Sequence, residues 1–397
     1  MAGQDLEGFR AEARAWLEET FPKSLRADPE ATAEIIPGAE VLSGDGLAWK
    51  QAMAAKGWGT PTWPKAYGGG GLTTAEARVL ADEMTAIGAY NPIVGMGTSM
   101  FGPTLLEYGT EDQKQRHIPP IVRGELRWCQ GYSEPGAGSD LASLQTKCED
   151  AGDHWKINGQ KIWTSGAQYA DWCFCLVRTD TTRKHEGISF VLIDMHQPGV
   201  ETRPIKLIAG TSPFCETFFT DARVEKNDML GPLNGGWSVG KRLLQHERSG
   251  QGGGRLMGAG KTLKTIAHDY LEGEEDELGA VDLRNRVIAQ AVDSKAHALT
   301  MKRASEEARG NLNPSATTSV MKNSSTRIGQ DKAELTLEFM GSQGLGWDGE
   351  DFTPEERQAV RAWLSGKATT IFGGSFEIQN NIISKRILGL PDSTRSA

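Results

Sequence analysis

The fold is decided by two strand-like segments in the middle of the chain, Asp171-Trp-Cys-Phe-Cys-Leu-Val-Arg178 and Gly187-Ile-Ser-Phe-Val-Leu-Ile-Asp194. Both are rich in β-branched and aromatic residues, which favour strands. Because no helical pattern separates the strand-like stretches, we predict an antiparallel β domain rather than alternating strand–helix units. Asn158-Gly159 lies between the strand-like sequences HWKI and QKIW, and this dipeptide predicts a hairpin turn.

Helical patterns flank this β region on both sides. Before it, Phe9, Ala13, Trp16 and Leu17 recur at the spacing of an amphipathic helix. After it, three segments without proline are predicted helices, at residues 237–245, 280–309 and 319–341. We therefore predict an α+β protein with three parts: an N-terminal helical domain (1–124), a central antiparallel β domain (125–232) and a C-terminal, four-helix-bundle-like domain (233–397).

Composition excludes several classes of protein. A length of 397 residues suggests two or three domains, and a net charge of −9 without a basic stripe argues against nucleic-acid binding. The five cysteines match neither a disulfide framework nor paired metal ligands, which favours a reducing, cytoplasmic setting. The seven histidines form no HxxxH or HxxH pair, so no metal site is expected. The sequence contains no apolar window long enough for a membrane span, and its first residues do not resemble a signal peptide.

The most unusual string is Ser133-Glu-Pro-Gly-Ala-Gly-Ser-Asp140. A dinucleotide-binding fingerprint would need a preceding strand, a following helix and a third glycine, whereas residues 144–149 alternate like a strand. Two interpretations remain: an extended loop whose small residues admit a flat ligand, or a plain turn. A second string, Lys161-Ile-Trp-Thr-Ser-Gly166, places an aromatic ring beside two hydroxyls. It suits stacking on a flavin ring, although a half-buried strand tryptophan would look the same.

Two further strings lie in the predicted C-terminal helices. Glu247 and Arg248 follow an apolar stretch, and four glycines occur between residues 250 and 254. Each glycine costs a helix about 1 kcal/mol relative to alanine, which suggests that a ligand or another backbone needs room there; a simple helix end is the alternative. Near the C-terminus, a Gly-Gly-Ser turn at residues 373–375 precedes a predicted helix. Free amides at such an N-terminus can bind an anion or polar ring atoms.

In their order and separations, the strings EPGAGSD, KIWTSGA and IFGGSFEIQNNIISKRILGLP resemble the acyl-CoA dehydrogenase family over essentially the whole chain. The resemblance implies FAD, held non-covalently between the β domain and the C-terminal helices. It implies abstraction of the α proton of an acyl-CoA thioester and transfer of the β hydrogen as hydride to flavin N5, which gives a trans-2-enoyl-CoA. Electrons usually leave such enzymes through an electron-transfer flavoprotein.

The resemblance also implies roles for individual positions. Cofactor contacts are expected from Gln130, Tyr132, Ser133, Gly138, Ser139, Trp163, Thr164, Ser165, Glu338, Gly341, Ser342, Ser375 and Glu377. Of these, the segment 338–342 is expected to reach the FAD of a neighbouring subunit. Substrate contacts are expected from Ser139, Arg248, Gly373 and Gly374.

The chain departs from the family at the catalytic base. Many members carry the base as a glutamate in a YEGT turn near the C-terminus, where this chain has Gly373, which cannot accept a proton. A minority, isovaleryl-CoA and long-chain dehydrogenases among them, carry the base on the helix that here contains Glu247. A carboxylate in an apolar pocket has a raised pKa, which improves its match to the weakly acidic α proton. We therefore expect Glu247 to be the base.

A second departure concerns the subunit contact. An Arg-x-x-Phe-Gly motif in many members contacts FAD of another subunit, whereas this chain has Asp282-Leu-Arg-Asn-Arg286; Arg284 or Arg286 is a possible substitute. Either a homotetramer or a heterotetramer is compatible with the sequence. In the second case the chain would be the catalytic subunit of an assembly acting on bulky thioesters, such as steroid side chains. A flavin oxidase on the same fold is a third hypothesis. The sequence does not indicate which acyl chain length the enzyme prefers.

Overall fold

The structure is a computed structural model, and it describes residues 5–26, 43–251, 261–271, 278–309 and 315–391. The α-helices are α1 Leu6–Thr20, α2 Gly44–Lys56, α3 Thr74–Ala86, α4 Gly102–Tyr108, α5 Glu111–Val122, α6 Gly236–Gln251, α7 Leu263–Leu271, α8 Leu278–Arg309, α9 Ser315–Met340, α10 Pro354–Gly366 and α11 Phe376–Ile382. The strands are β1 Trp128–Gly131, β2 Lys147–Asp150, β3 His154–Ser165, β4 Trp172–Arg178, β5 Ile188–Asp194, β6 Val200–Ile205 and β7 Phe214–Glu225. The predicted succession of helices, strands and helices is confirmed.

The N-terminal helices begin and end where local chemistry dictates. Ala13 and Leu17 of α1 are buried, as the apolar spacing predicts. Thr110 and Gln113 form a reciprocal capping box at the start of α5, and Thr73 does the same with Glu76 at α3. These caps satisfy backbone amides that the helices leave unpaired.

The seven strands form one sheet in the order β1-β4-β2-β3-β7-β6, with β5 paired to β4. Most of the described pairs are antiparallel, whereas β1 and β2 both run parallel to β4. Nearly every residue of β4 and β5 is buried, which explains their continuous apolar sequence. One core cluster joins Phe174 and Phe190 to residues of α4, α5 and α6; a second cluster contains all five cysteines.

The predicted hairpin at Asn158-Gly159 is wrong, because β3 continues through this dipeptide. Asn158 lies opposite a bulge of β7, where Asp221 adopts a left-handed φ of 52°. Asn158 Nδ2 donates to Asp221 Oδ1 at 2.8 Å, and the Asp221 amide donates to Asn158 Oδ1 at 2.8 Å. The actual hairpin joins β2 to β3 around Gly152, whose φ of 91° suits a tight turn. Asn-Gly therefore faces a bulge here instead of forming a reversal.

The described part of the chain divides into two compact units. The first comprises Met1–Ile205 and Ser212–Gly250, so α6 belongs with the sheet; the second comprises Lys206–Thr211 and Gln251–Ala397. In the second unit, Leu263 and Ile266 of α7 pack with Leu335 and Phe339 of α9. Among the described helices, none combines the length and apolar character that crossing a bilayer requires.

Candidate active site

The loop at residues 133–140 begins directly after β1 with a tight turn. The amides of Glu134 and Ala137 each donate to the carbonyl of the other at 3.0 Å. Gly136, Gly138 and Ser139 are exposed, and a Cβ placed on either glycine would meet no heavy atom within 4 Å in the described part of the chain. The loop thus presents a small, open backbone surface, as the interpretation of a flat-ligand loop requires.

Two side chains that the sequence reasoning missed tie this loop to β3. Lys161 is completely buried, and its Nζ donates to Glu134 Oε1 at 2.8 Å and to the Tyr132 carbonyl at 3.1 Å. The Ile162 amide also donates to the Ser133 carbonyl at 2.9 Å. The structure therefore brings the first two sequence strings together. No local sequence signal identifies this contact, because Lys161 and Glu134 are 27 residues apart.

Trp163 stands at a bulge in β3. The register shifts between Lys161 and Thr164, and Trp163 adopts a left-handed φ of 61°. Such a conformation costs a residue with a Cβ about 1–2 kcal/mol, so the surrounding structure must impose it. The bulge directs the indole outwards, where it is 52% exposed and meets Phe214 edge to face. An exposed aromatic ring of this kind is a ready surface for stacking.

Two buried donors in the same sheet, on β3 and β1, are unpaired within the described residues. Thr164 is fully buried, and its hydroxyl has no hydrogen-bond partner within the described residues. The same holds for the buried Nε2 of Gln130 on β1. Unpaired buried donors are costly, and they fit a ligand ring with nitrogen and oxygen acceptors, as a flavin has. Ser133 and Ser165 are half-buried, and Tyr132 is buried.

Helix α6 packs directly onto the sheet because its first turns carry glycine. A Cβ on Gly236 would lie 2.3 Å from the Ser189 carbonyl carbon. One on Gly240 would lie 3.2 Å from Leu176 and 3.4 Å from Tyr132 Oη. The helix backbone thus runs against β4, β5 and the start of the 133–140 loop. Glu247 and Arg248 belong to this helix, and their side chains lie outside the described residues.

A polar cluster that the sequence reasoning missed anchors the later turns of α6 to α4. Arg242 donates to both oxygens of Glu107, at 2.7 and 2.6 Å, and His246 Nε2 lies 3.2 Å from Glu107 Oε1. The hydrogen bond from Arg242 holds the pKa of Glu107 below its ordinary value. Burial, together with the Arg242 charge, lowers the pKa of His246. The turn that precedes residue 247 is therefore fixed by a charged contact.

In the second unit, Glu338 at the end of α9 is paired with α8. Arg286 donates to both of its oxygens, one at 2.6 Å, and also lies 3.8 Å from Asp282. Gly341 has a left-handed φ of 54°, and Ser342 is exposed beside it. Arg286, one of the two considered substitutes for a subunit contact, thus has an intrachain partner, Glu338, within the expected cofactor segment.

The terminal Gly-Gly-Ser turn is held by its own neighbours. Gly373 and Gly374 have φ values of 65° and 90°, and Gln379 Nε2 donates to the Gly373 carbonyl at 2.9 Å. Ser375 caps α11 by accepting from the Ile378 amide. The pKa of Glu377 is lowered by its own backbone amide and by Ser375. The turn thus lies at the surface of the second unit, with Gly373 exposed.

The described residues contain no group of three or more histidine, cysteine or acidic side chains that could hold a metal ion. Comparison with known proteins identifies the family of the chain. Models named "Acyl-CoA dehydrogenase, N-terminal domain", "middle domain" and "C-terminal domain" match residues 3–125, 129–222 and 234–388. The chain is 37% identical to "Acyl-CoA dehydrogenase IpdE1" of Mycobacterium tuberculosis, with 98% of each chain covered.

Two solved structures are similar over 99% of both chains. One, titled "Tcur3481-Tcur3483 steroid ACAD", has a TM-score of 0.78 and 28% identity. The other, the ChsE4-ChsE5 complex from Mycobacterium tuberculosis, has a TM-score of 0.73 and 27% identity. Both titles name two components.

Proposed function

The chain belongs to the acyl-CoA dehydrogenase family, whose members are flavoproteins, and is an oxidoreductase acting on acyl-CoA; we propose that it binds FAD and catalyses α,β-dehydrogenation with Glu247 as the base. The observation that carries this proposal is the placement of residue 247 on α6. Positions 240, 243 and 247 follow one another at three and four residues and therefore share one face of an α-helix. On this face, Gly240 and Leu243 are buried against the sheet.

The proposed roles of the other residues follow from their exposure and donors. Trp163 would stack against the flavin, while Gln130 and Thr164 would donate hydrogen bonds to it. Bound FAD would accept the β hydrogen as hydride at N5. Glu247 would take the α proton, and the Glu107–Arg242–His246 cluster would hold its helical turn in place.

The thioester carbonyl needs donors as negative charge develops on it. An amide of the terminal turn near Gly373 is the proposed donor in this chain, and one such preorganised donor typically contributes about 3–4 kcal/mol. Gly374, in the same turn, is also proposed to contact the substrate. Ser139 and Arg248 are proposed to contact the substrate, whereas Tyr132, Ser133, Gly138, Ser165, Glu338, Gly341, Ser342, Ser375 and Glu377 are proposed cofactor contacts.

Substitution of the base tests the mechanism. Glu247→Gln removes the proton acceptor but keeps the shape, so turnover should fall by about 100- to 10,000-fold while FAD stays bound. The matched control is Glu186→Gln, which changes an exposed carboxylate in the first unit. Turnover by Glu247→Gln at the wild-type rate would show that another group is the base.

The electron acceptor is tested separately with the wild-type protein under air. Turnover that requires an added electron acceptor would argue against a flavin oxidase and would fit electron-transfer flavoprotein as the acceptor.

As a second candidate function, we propose that the chain is the catalytic subunit of a heterotetramer acting on bulky, ring-bearing thioesters. The two similar structures with paired names support this, one of them titled as a steroid enzyme. An apolar stripe on α8 supports an oligomer: Val281, Ile288, Val292 and Leu299 are each 49–61% exposed. Their spacing of seven, four and seven residues aligns them on one helix face. The opposite face carries Leu283 and Val287 into the core.

Expression of the chain alone distinguishes the assemblies. A yellow homotetramer on gel filtration would support a self-sufficient enzyme, and a colourless dimer would support the heteromeric assembly. A screen of straight, branched and ring-bearing acyl-CoA thioesters would then test the substrate class. A preference for short linear chains would contradict the bulky-substrate proposal.

Two further proposals concern organisation and setting. We propose domain boundaries at 1–124, 125–232 and 233–397, which the three matched regions 3–125, 129–222 and 234–388 support. We also propose a reducing, cytoplasmic setting, which the five buried free cysteines support.

A further inference from the structure

We propose that the Glu134–Lys161 ion pair is a positioning device that fixes the 133–140 loop and the Trp163 bulge as one rigid wall for the cofactor. The inference rests on the proposed FAD site, and it assigns a role to two residues that need not touch the ligand. The role assigned to the ion pair is to fix backbone geometry, and not chiefly to stabilise the fold.

The pair connects three separate backbone segments. Lys161 Nζ reaches the Glu134 carboxylate and the Tyr132 carbonyl, at 2.8 and 3.1 Å. The same carboxylate accepts the Gln145 amide at 2.6 Å and the Thr146 amide at 2.9 Å. The Glu134 carboxylate, near the start of the loop, is therefore bound both to residues 145 and 146, which follow the loop, and to Lys161 of β3.

The burial of the pair makes a purely stabilising role unconvincing. The side chains of Lys161 and Glu134 are 0% and 8% exposed. Burying such ions costs several kcal/mol each, and apolar residues of similar volume often stabilise a protein equally well or better. The pKa of Glu134 nevertheless lies below its ordinary value: burial would raise it, but the Lys161 charge and the hydrogen bonds from Lys161, Thr146 and Gln145 outweigh burial. The charge and hydrogen bonds of the pair thus offset the cost of its burial. Unlike an apolar pair, it also forms hydrogen bonds that fix the positions of the backbone segments it joins.

The fixed position of Lys161 matters because this residue lies two residues before Trp163. The bulge holds Trp163 in a left-handed conformation, which needs fixed strand positions on both sides. On one side Thr164 is paired with Cys215; on the other, Lys161 is paired with Thr217 and anchored through its side chain. Without the anchor, the indole and the loop could move independently, and a bound flavin would have to order both.

A second pair in the same unit is a matched control. Arg116 Nη1 lies 2.8 Å from Asp228 Oδ1, the same distance as in the first pair, and the Asp228 side chain is 7% exposed. This pair joins α5 to the turn after β7, and neither residue is among the proposed cofactor contacts. Breaking it removes an ion pair of the same length, whose arginine is 33% exposed, without touching either cofactor segment.

The experiment measures FAD affinity against stability in apo-protein. The variants are Lys161→Met, the double variant Lys161→Met with Glu134→Gln, which leaves no unpaired charge, and the control Asp228→Asn. Each is titrated with FAD by fluorescence quenching, and thermal unfolding is recorded without FAD. We expect both Lys161 variants to bind FAD at least about tenfold more weakly, and the control to bind as wild type even where its Tm is lower.

Two results would overturn the inference. One is wild-type FAD affinity in the double variant; the other is an affinity loss that follows the Tm loss equally in all three variants. Failure of the proposed FAD site in the chain alone would look different, because wild-type protein itself would then not bind FAD, which is the result that the heteromeric assembly predicts. The visible flavin spectrum gives a second readout, since a displaced indole should shift it whereas a uniform loss of stability should not.

Discussion

Two glycine-containing loops of this protein, one in each compact unit, carry proposed ligand contacts, yet they are held in different ways. The 133–140 loop is fixed by Lys161, which is 27 residues away in sequence from Glu134 and completely buried. The terminal turn at Gly373 and Gly374 is fixed by Ser375 and Gln379, within six residues. The first loop depends on a charge inside the fold, and the second on local capping.

The difference predicts how each loop responds to change. A loop held by a buried ion pair should fail abruptly when one charge is removed, because the remaining charge has no partner. A turn held by local hydrogen bonds should weaken in small steps.

The largest expected effect is on the first loop. Glu134→Gln leaves the Lys161 ammonium without its counterion, so the free energy of unfolding should fall by about 3–5 kcal/mol, measured by urea denaturation. Asp140→Asn is the control in the same loop, since Asp140 pairs with Lys184 at 2.8 Å but both side chains are more than half exposed. It should cost no more than about 1 kcal/mol. Equal losses in the two variants would remove the distinction between the loops.

Lowering the pH should reduce the stabilisation that Glu134 gives the first loop. The pKa of Glu134 is depressed in the folded state, since the Lys161 charge and its hydrogen bonds outweigh burial. Its stabilisation is therefore complete above its unfolded pKa of about 4.3 and is lost as pH falls through the lower folded value. The stability gap between wild type and Glu134→Gln should consequently narrow in acid. A gap that is independent of pH between neutral and strongly acidic conditions would contradict the assigned charge state.

The terminal turn should respond more weakly. Gly374→Ala places a Cβ 2.5 Å from Gln379 Nε2 at a φ of 90°, and the left-handed conformation alone should cost about 1–2 kcal/mol. Gly366→Ala is the control: it lies at the end of α10, and a Cβ there meets no described heavy atom within 4 Å. It should be neutral or slightly stabilising, by up to about 1 kcal/mol. Thermal unfolding of the apo-protein measures both, and a loss at Gly366 as large as at Gly374 would argue against backbone strain.

The sequence predicts the locally determined features of this molecule. The helix–strand–helix order and the helix that follows the turn at residues 373–375 can be predicted from periodicity and turn chemistry, and the structure confirms them. Asn158-Gly159 shows the limit, because its local preference for a turn is overridden by pairing with Asp221 on a distant strand.

Contacts between residues far apart in the chain could not be predicted from the sequence. Glu134 occurs within a recognised string, but its partner Lys161 lies in another, and one sequence contains no sign that they meet. The same is true of Glu107 and Arg242, which lie 135 residues apart. Contacts of this kind depend on the packing of sheet and helices, which the order of residues alone does not specify.

The most direct test of the account is anaerobic mixing of the FAD-loaded protein with acyl-CoA thioesters from the straight, branched and ring-bearing series. If Glu247 takes the α proton, a thioester that bleaches the visible flavin absorbance of wild type should leave that of Glu247→Gln unchanged, although the variant still binds the thioester. Bleaching of Glu247→Gln at the wild-type rate would show that a different group removes the proton.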